Sequence, residues 1–170
     1  RSWTGCSIPT GDAALTADER AAVVALFDRR TSERLPAPYL TGEAWFAGLR
    51  FAVDQRVLIP RSPIGELIET GFSPWLDDAN PARILDIGTG SGCIAIAGAL
   101  AFPDARVDAV DIRPDALTVE QANVERYCLQ DRLRLLRSDL YEAVAGERYD
   151  VIVSNPPCVP QAQYAQLPAE

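Results

Sequence analysis

The stretch Asp86-Ile87-Gly88-Thr89-Gly90-Ser91-Gly92 decides how the rest of the chain is interpreted. Its three glycines stand at alternate positions, where the absence of Cβ atoms lets a ligand lie against the backbone. A short apolar strand, 83–87, is predicted before the loop, and a helix of small residues, 93–101, after it. Because the first turn of a helix carries unpaired N–H groups, strand, loop and helix together predict a ligand-binding turn in an α/β fold.

The spacing of the glycines separates two classes of cofactor. A dinucleotide fingerprint reads G-x-G-x-x-G and would need a glycine where this chain has Cys93. The form found here, G-x-G-x-G with an acid two residues before it, is typical of an S-adenosylmethionine site. We therefore expect S-adenosylmethionine and disfavour a nicotinamide dehydrogenase; the alternative is a tight glycine turn without a ligand. The expected cofactor-binding residues of the loop are Asp86, Gly88, Thr89, Gly90 and Gly92.

Strands and helices alternate after the loop, which predicts a parallel sheet with right-handed helical crossovers. The predicted strands are 105–110, 133–136 and 149–153, and a helix is predicted from Pro114 to about Tyr127. Such sheets bind ligands beyond the carboxyl ends of their strands. We therefore expect the polar residues that follow the strands to lie together at one edge of the sheet.

Two of these polar residues are acids suited to a nucleoside. Asp111 comes 19 residues after Gly92 and can accept hydrogen bonds from both ribose hydroxyls; its alternative role is the N-cap of the helix that begins at Pro114. Asp139 is placed to accept a hydrogen bond from the exocyclic amine of adenine, and its alternative is an ordinary solvated loop acid. The simultaneous presence of the glycine loop and Asp111 favours the cofactor role for Asp111.

The motif Asn155-Pro156-Pro157 follows the fourth predicted strand and is the candidate catalytic element. The nitrogen of an amide or aromatic amine is a weak nucleophile because its lone pair is conjugated. The Asn155 side-chain oxygen and the Pro156 carbonyl can each accept one N–H, which orients the NH2 group without a strong base. The prolines restrict the directions of the carbonyl groups. An isolated N-P-P is a common turn, but its place after this strand favours catalysis.

The N-terminal part of the chain predicts a helix and a hairpin. Thr16-Ala17-Asp18-Glu19 is a capping box, and Pro36 and Pro38 end the helix that follows it. The helix has an apolar side, which comprises Val23, Val24, Leu26 and Phe27. Two strands around a turn are expected in 44–59, including Val57-Leu58-Ile59, and a short helix with Ser62 as N-cap is expected to run to Gly71.

Composition limits the class of protein. The 170 residues are 48% hydrophobic and 24% charged, which is typical of a globular domain, and the net charge of -8 suits a small molecule or a basic protein better than a nucleic acid. The chain has no histidine and its four cysteines form no C-x-x-C pair, so we expect no metal site and reduced thiols in a cytoplasmic protein. We also expect no membrane span and no signal peptide.

Taken together, the motifs resemble those of the HemK-like family of protein-glutamine methyltransferases. The resemblance covers roughly residues 16–170, and it rests on Tyr39-Leu40-Thr41-Gly42, Val57-Leu58-Ile59-Pro60-Arg61, the glycine loop and Asn155-Pro156-Pro157. It implies S-adenosylmethionine-dependent N5-methylation of a glutamine side chain. Within the family, Pro60-Arg61-Ser62-Pro63-Ile64 resembles the branch that acts on ribosomal protein L3, which would make that protein the partner.

The resemblance also implies a domain plan. The expected parts are a helical substrate-recognition region over 1–40, a β-hairpin linker over 41–60, and a Rossmann-like class I methyltransferase domain over 61–170. Arg61 is expected close to the active site, and both Arg61 and the catalytic Asn155 are expected among the cofactor-binding residues. The family sheet has seven strands, so about three are expected to be missing from this sequence.

One departure from the family pattern leaves two alternative functions open. The family motif continues with an aromatic residue that packs on the target amide, whereas this chain has Cys158. We therefore expect a weaker or altered grip on the substrate, and a tyrosine at this position should raise activity. A non-catalytic fold that only binds cofactor or partner is one alternative. The other is an amino-methyltransferase acting on DNA or RNA bases, which the acidic charge disfavours.

Overall fold

A computed structural model describes residues 14–76 and 80–157. Helix α1 spans Ala17–Glu33 and α2 spans Ala37–Thr41, followed by strands β1 (Glu43–Phe46) and β2 (Leu49–Ala52) and helix α3 (Ile64–Glu69). The second half contains β3 (Arg83–Ile87), α4 (Cys93–Ala101), β4 (Arg106–Asp111), α5 (Pro114–Arg126), β5 (Leu133–Arg137), a 3-10 turn (Glu142–Val144) and β6 (Val151–Ser154). No helix in the described ranges is long and apolar enough to cross a membrane.

Between residues 80 and 157, four strands form one parallel sheet in the order β5-β4-β3-β6. This arrangement confirms the predicted parallel α/β fold. Strand β3 pairs with both β4 and β6, so the glycine loop that follows β3 emerges between the ends of two neighbours. At the opposite end of the sheet, the Asp150 carboxylate accepts hydrogen bonds from the backbone N–H groups of Ala82 and Arg83 at 2.7 and 2.8 Å. These bonds align the starts of β3 and β6.

The predicted hairpin is present, but its second strand is shorter than expected. The turn at Ala47 and Gly48 has φ values of +47° and +71°, the left-handed pair that suits a two-residue hairpin. The prediction of a strand at Val57–Ile59 is wrong. Asp54 begins a turn there, in which the Val57 N–H donates to the Asp54 carbonyl at 3.0 Å, and the chain then runs to Pro60 without a ladder partner.

The hairpin is fastened to the sheet domain by polar groups of α5. Asn123 is fully buried; its Oδ1 accepts from the Ala52 N–H at 2.7 Å, and its Nδ2 donates to the carbonyls of Ala52 and Ser91 at 3.0 and 2.9 Å. The Tyr127 hydroxyl bonds both the N–H and the carbonyl of Arg50. The Asn123 side chain therefore connects the hairpin, α5 and the glycine loop.

Helix α1 forms where the capping box predicts it. The Glu19 N–H donates to the Thr16 hydroxyl, and the Thr16 N–H donates to the Glu19 carboxylate at 2.8 Å. No residue of α1 is buried, and Phe27 on its apolar side is 67% exposed. The apolar core lies instead around α4, the sheet and the hairpin.

Candidate active site

The glycine loop has the open backbone that its sequence predicts. Gly88 and Gly90 have φ values of +73° and +60°, and a Cβ added at either would meet nothing within 4 Å. The N–H groups of Gly88 and Thr89 both donate to the Val110 carbonyl, which holds the loop against the end of β4. The loop therefore presents bare backbone to a cleft.

This cleft has a volume of about 530 Å³ and lies beyond the carboxyl ends of the strands. Most of the predicted site residues line it, namely Arg61, Gly88, Thr89, Gly90, Asp111, Asp139, Asn155, Pro156 and Pro157. Two predicted residues, Asp86 and Gly92, do not line it. The family position Cys158 lies outside the described residues.

Asp111 is held in place by backbone groups on both sides. Its Oδ2 accepts from the Gly90 N–H at 3.0 Å, and its Oδ1 accepts from the Arg113 N–H at 2.9 Å. The carboxylate is therefore attached to the glycine loop and to the turn that precedes α5. Each oxygen has a second lone pair that can accept a hydrogen bond from a ligand in the cleft.

The walls beside Asp111 are apolar, and sequence reasoning missed them. Ile112 and Leu140 line the cleft and are 56% and 60% exposed. Asp139 is exposed on the loop after β5, where it follows the buried Ser138 and precedes the exposed Leu140. The sequence did contain a signal for these two apolar residues, because each of them directly follows an acid near the end of a strand. An aromatic ring system could lie between these side chains and meet an acceptor at its edge.

Asn155 is oriented by a contact with the segment before α3. Its Nδ2 donates to the Arg61 backbone carbonyl at 3.1 Å. With the nitrogen used in this way, the side-chain oxygen is the end of the amide that can serve a ligand. The preceding Ser154 hydroxyl donates to the Ile87 carbonyl at 2.9 Å, which fastens the end of β6 beside the glycine loop. Arg61 and Asn155 are themselves exposed.

Two buried acids lie beneath the loop. Asp86 is 1% exposed, and its Oδ2 accepts from the Ala95 N–H at 3.1 Å, so it caps the start of α4. Burial raises the pKa of Asp86 to about 7, although bonds from Thr89 and Ala95 oppose the rise. Glu120 of α5 is fully buried, and its Oε1 accepts from the Thr89 hydroxyl at 2.9 Å. Sequence reasoning missed Glu120, although it lies four residues from both Ala116 and Val124, a spacing that places it on the buried face of α5.

Comparison with known proteins agrees with this geometry. Residues 72–167 match the family described as methyltransferase small domain. A relative from Bordetella pertussis named ribosomal protein uL3 glutamine methyltransferase is 56% identical over 163 residues, which are 95% of this chain and 55% of the relative. A relative of the same name from Xanthomonas campestris is 53% identical over 160 residues, covering 94% of this chain and 52% of the relative. The chain thus spans about half the length of the curated relatives it matches.

Solved structures support the fold. The delta-N METTL16 MTase domain superposes with a TM-score of 0.54 and 23% identity, covering 85% of this chain and 62% of that one. The N-terminal domain of human METTL16 in complex with SAH gives 0.51 and 23%, covering 87% and 57%. The predicted class I methyltransferase fold is confirmed, and so is the similarity to glutamine methyltransferases. This chain belongs to the methyltransferase small domain family.

Proposed function

We propose that this chain binds S-adenosylmethionine and serves N5-methylation of a glutamine side chain in ribosomal protein L3. The proposal rests on one observation: the side-chain amide of Asn155, which donates to the Arg61 carbonyl, lies in the same cleft as the open glycine loop. The names of the relatives in Bordetella and Xanthomonas support the choice of substrate.

The cleft fits the cofactor. Gly88 and Gly90 leave open space in front of their backbone, so an amino acid or ribose moiety can lie against them. Asp111 would accept the ribose hydroxyls, while Ile112 and Leu140 would enclose the adenine, with Asp139 as acceptor for its amine. Thr89 and Arg61 belong to the same proposed binding set. Asp86 and Gly92, which do not line the cleft, would support the loop from below.

The chain's own groups would act by orientation. When bound, S-adenosylmethionine supplies a sulfonium methyl group, which can pass to nitrogen as the carbon–sulfur bond breaks. Asn155 Oδ1 and the Pro156 carbonyl would each accept one N–H of the substrate amide. These two bonds would turn the conjugated nitrogen toward the methyl carbon, and Pro157 would limit the freedom of the loop. Loss of a proton from the methylated nitrogen would then restore a neutral amide.

The domain plan belongs to the same proposal. Residues 1–40 would help to recognise the substrate, and 61–170 would form the methyltransferase domain. Residues 41–60 would link these two parts. The contacts of Asn123 and Tyr127 with the hairpin support a linker that is held close to the cleft. The net charge of -8 suits a basic ribosomal protein, and a ribosomal substrate would put the protein in the cytoplasm.

The test is methylation of ribosomal protein L3 with labelled S-adenosylmethionine by the full chain. Asn155→Ala should lower kcat by about 100-fold or more, as loss of one preorganised polar contact does elsewhere, while cofactor affinity stays within about threefold. The matched control is Asn80→Ala, the same substitution at an exposed loop residue outside the cleft.

Each outcome of this experiment has a distinct meaning. Label on a glutamine that vanishes with Asn155→Ala and persists with Asn80→Ala would support the proposal. Label that persists with Asn155→Ala would refute the role of Asn155. Cofactor binding without label on ribosomal protein L3, but with label on a DNA or RNA base, would refute the assignment of that protein as the substrate.

A further inference from the structure

Glu120 forms a buried support beneath the glycine loop. It projects from α5, is 0% exposed, and accepts the Thr89 hydroxyl at 2.9 Å. Its Cγ and Oε1 pack so closely on Gly92 that a Cβ there would approach them to 2.6 and 2.7 Å. The side chain thus contacts the loop at two points, on the face opposite the cleft.

Two oxygens in this region lack a donor. Glu120 Oε2 and Asp86 Oδ1 are buried and have no hydrogen-bond partner among the described residues. Both acids lie within the influence of the Thr89 hydroxyl, which interacts with each of them. Two ionised carboxylates can only accept, so neither can satisfy the other. A proton on Glu120 would remove one of the two buried negative charges and would leave its Oε1 free to accept the Thr89 hydroxyl.

The surroundings favour such a proton. Burial raises the pKa of Glu120 well above its ordinary value, and the charge of Asp86 raises it further, against the bond from Thr89. Asp111, at the end of β4, acts in the same direction. The Cys93 thiol on α4 also faces this group, and burial raises its pKa to about 12, so it stays neutral. Within residues 14–76 and 80–157, these are the titratable groups that act on Glu120.

We propose that Glu120 is a positioning residue for cofactor binding: it holds the Thr89 hydroxyl and packs against Gly92, which keeps the loop backbone in its open form. The inference rests on the proposed function, since the loop must receive S-adenosylmethionine. At higher pH both buried acids ionise, and the two carboxylates repel each other beneath the loop.

The substitution Glu120→Gln tests this directly. A glutamine amide oxygen accepts from Thr89 as the glutamate oxygen does, but the side chain cannot ionise. Glu120→Met keeps the length and the packing on Gly92 and removes the polar groups. The control is Glu125→Gln, an exposed glutamate on the same helix. The readouts are the Kd of S-adenosylmethionine by calorimetry and the exchange of the Gly90 and Gly92 amides by NMR in the cofactor-free full chain.

We expect Glu120→Gln to bind like the parent at pH 7, and Glu120→Met to bind about tenfold more weakly. As the pH rises above neutral, the parent and Glu125→Gln should lose about tenfold in affinity relative to Glu120→Gln. A Glu120→Gln variant as weak as Glu120→Met, or one with the parent's pH profile, would overturn the inference.

The amide measurement separates this inference from the proposed function. If the parent does not bind the cofactor, the proposed function fails. Glu120 still positions the loop if amide exchange is about tenfold faster in Glu120→Met and unchanged in Glu120→Gln. Equal exchange in all variants would refute the role of Glu120, whatever the cofactor does.

Discussion

Alanine at Gly88 should weaken ligand binding more than alanine at Gly92 does, whereas alanine at Gly92 should destabilise the fold more. Both residues have left-handed φ values, +73° and +78°, so each substitution should cost about 1–2 kcal/mol of folding free energy. At Gly88 nothing lies within 4 Å of the new Cβ, so no further loss of folding free energy is expected. At Gly92 the Cβ would lie 2.6 Å from Glu120 Cγ, and this overpacking should add about 1–3 kcal/mol.

Two assays on the full chain separate these effects. Urea unfolding should show a larger loss of stability for Gly92→Ala than for Gly88→Ala. Calorimetry should show the reverse order for S-adenosylmethionine affinity among folded molecules, with Gly88→Ala weaker by about tenfold or more because its Cβ stands in the space proposed for the ligand. The reasoning is refuted if Gly92→Ala unfolds no more easily than Gly88→Ala, or if Gly88→Ala binds the cofactor unchanged.

Three further predictions concern single side chains. Asp111→Asn places an NH2 group against a backbone N–H and should weaken cofactor affinity by about tenfold to 100-fold, as measured by calorimetry; unchanged affinity would contradict the ribose role. Asp108 is buried, which raises its pKa, but bonds from Arg134 and Tyr149 outweigh burial and lower it overall. Its stabilising contribution is therefore present above the unfolded-state pKa and is lost as the pH falls through the folded-state pKa. Asp108→Asn should cost about 1–3 kcal/mol at neutral pH, and thermal melts should show this difference shrinking in acid; a difference independent of pH would contradict the assignment. Cys158→Tyr should raise the rate of methyl transfer to glutamine, and an unchanged rate would count against an aromatic contact with the substrate.

The elements closest to the glycine loop could be predicted because their signals are local. A strand that ends in Asp86, alternating glycines and a helix of small residues each restrict the backbone within a few positions. The same holds for the capping box at Thr16 and for Asp111 and Asn155, which directly follow strands. The Val57–Ile59 strand failed for the converse reason: an apolar run predicts burial, but whether it finds a ladder partner depends on distant residues.

From Arg83 onward, the sequence by itself determined the order of strands and helices along the chain, the form of the glycine loop and the set of polar residues at the strand ends, because these depend on neighbours in the chain. Only the tertiary structure decided which of them face the cleft. Asp86 and Gly92 lie in the decisive motif yet stand beneath the loop, since the space behind it is occupied by α4 and Glu120. Likewise, the orientation of the Asn155 amide depends on the Arg61 carbonyl 94 residues away. Contacts between segments so far apart in the chain are set by the packing of the sheet and its helices, and no local sequence pattern predicts them.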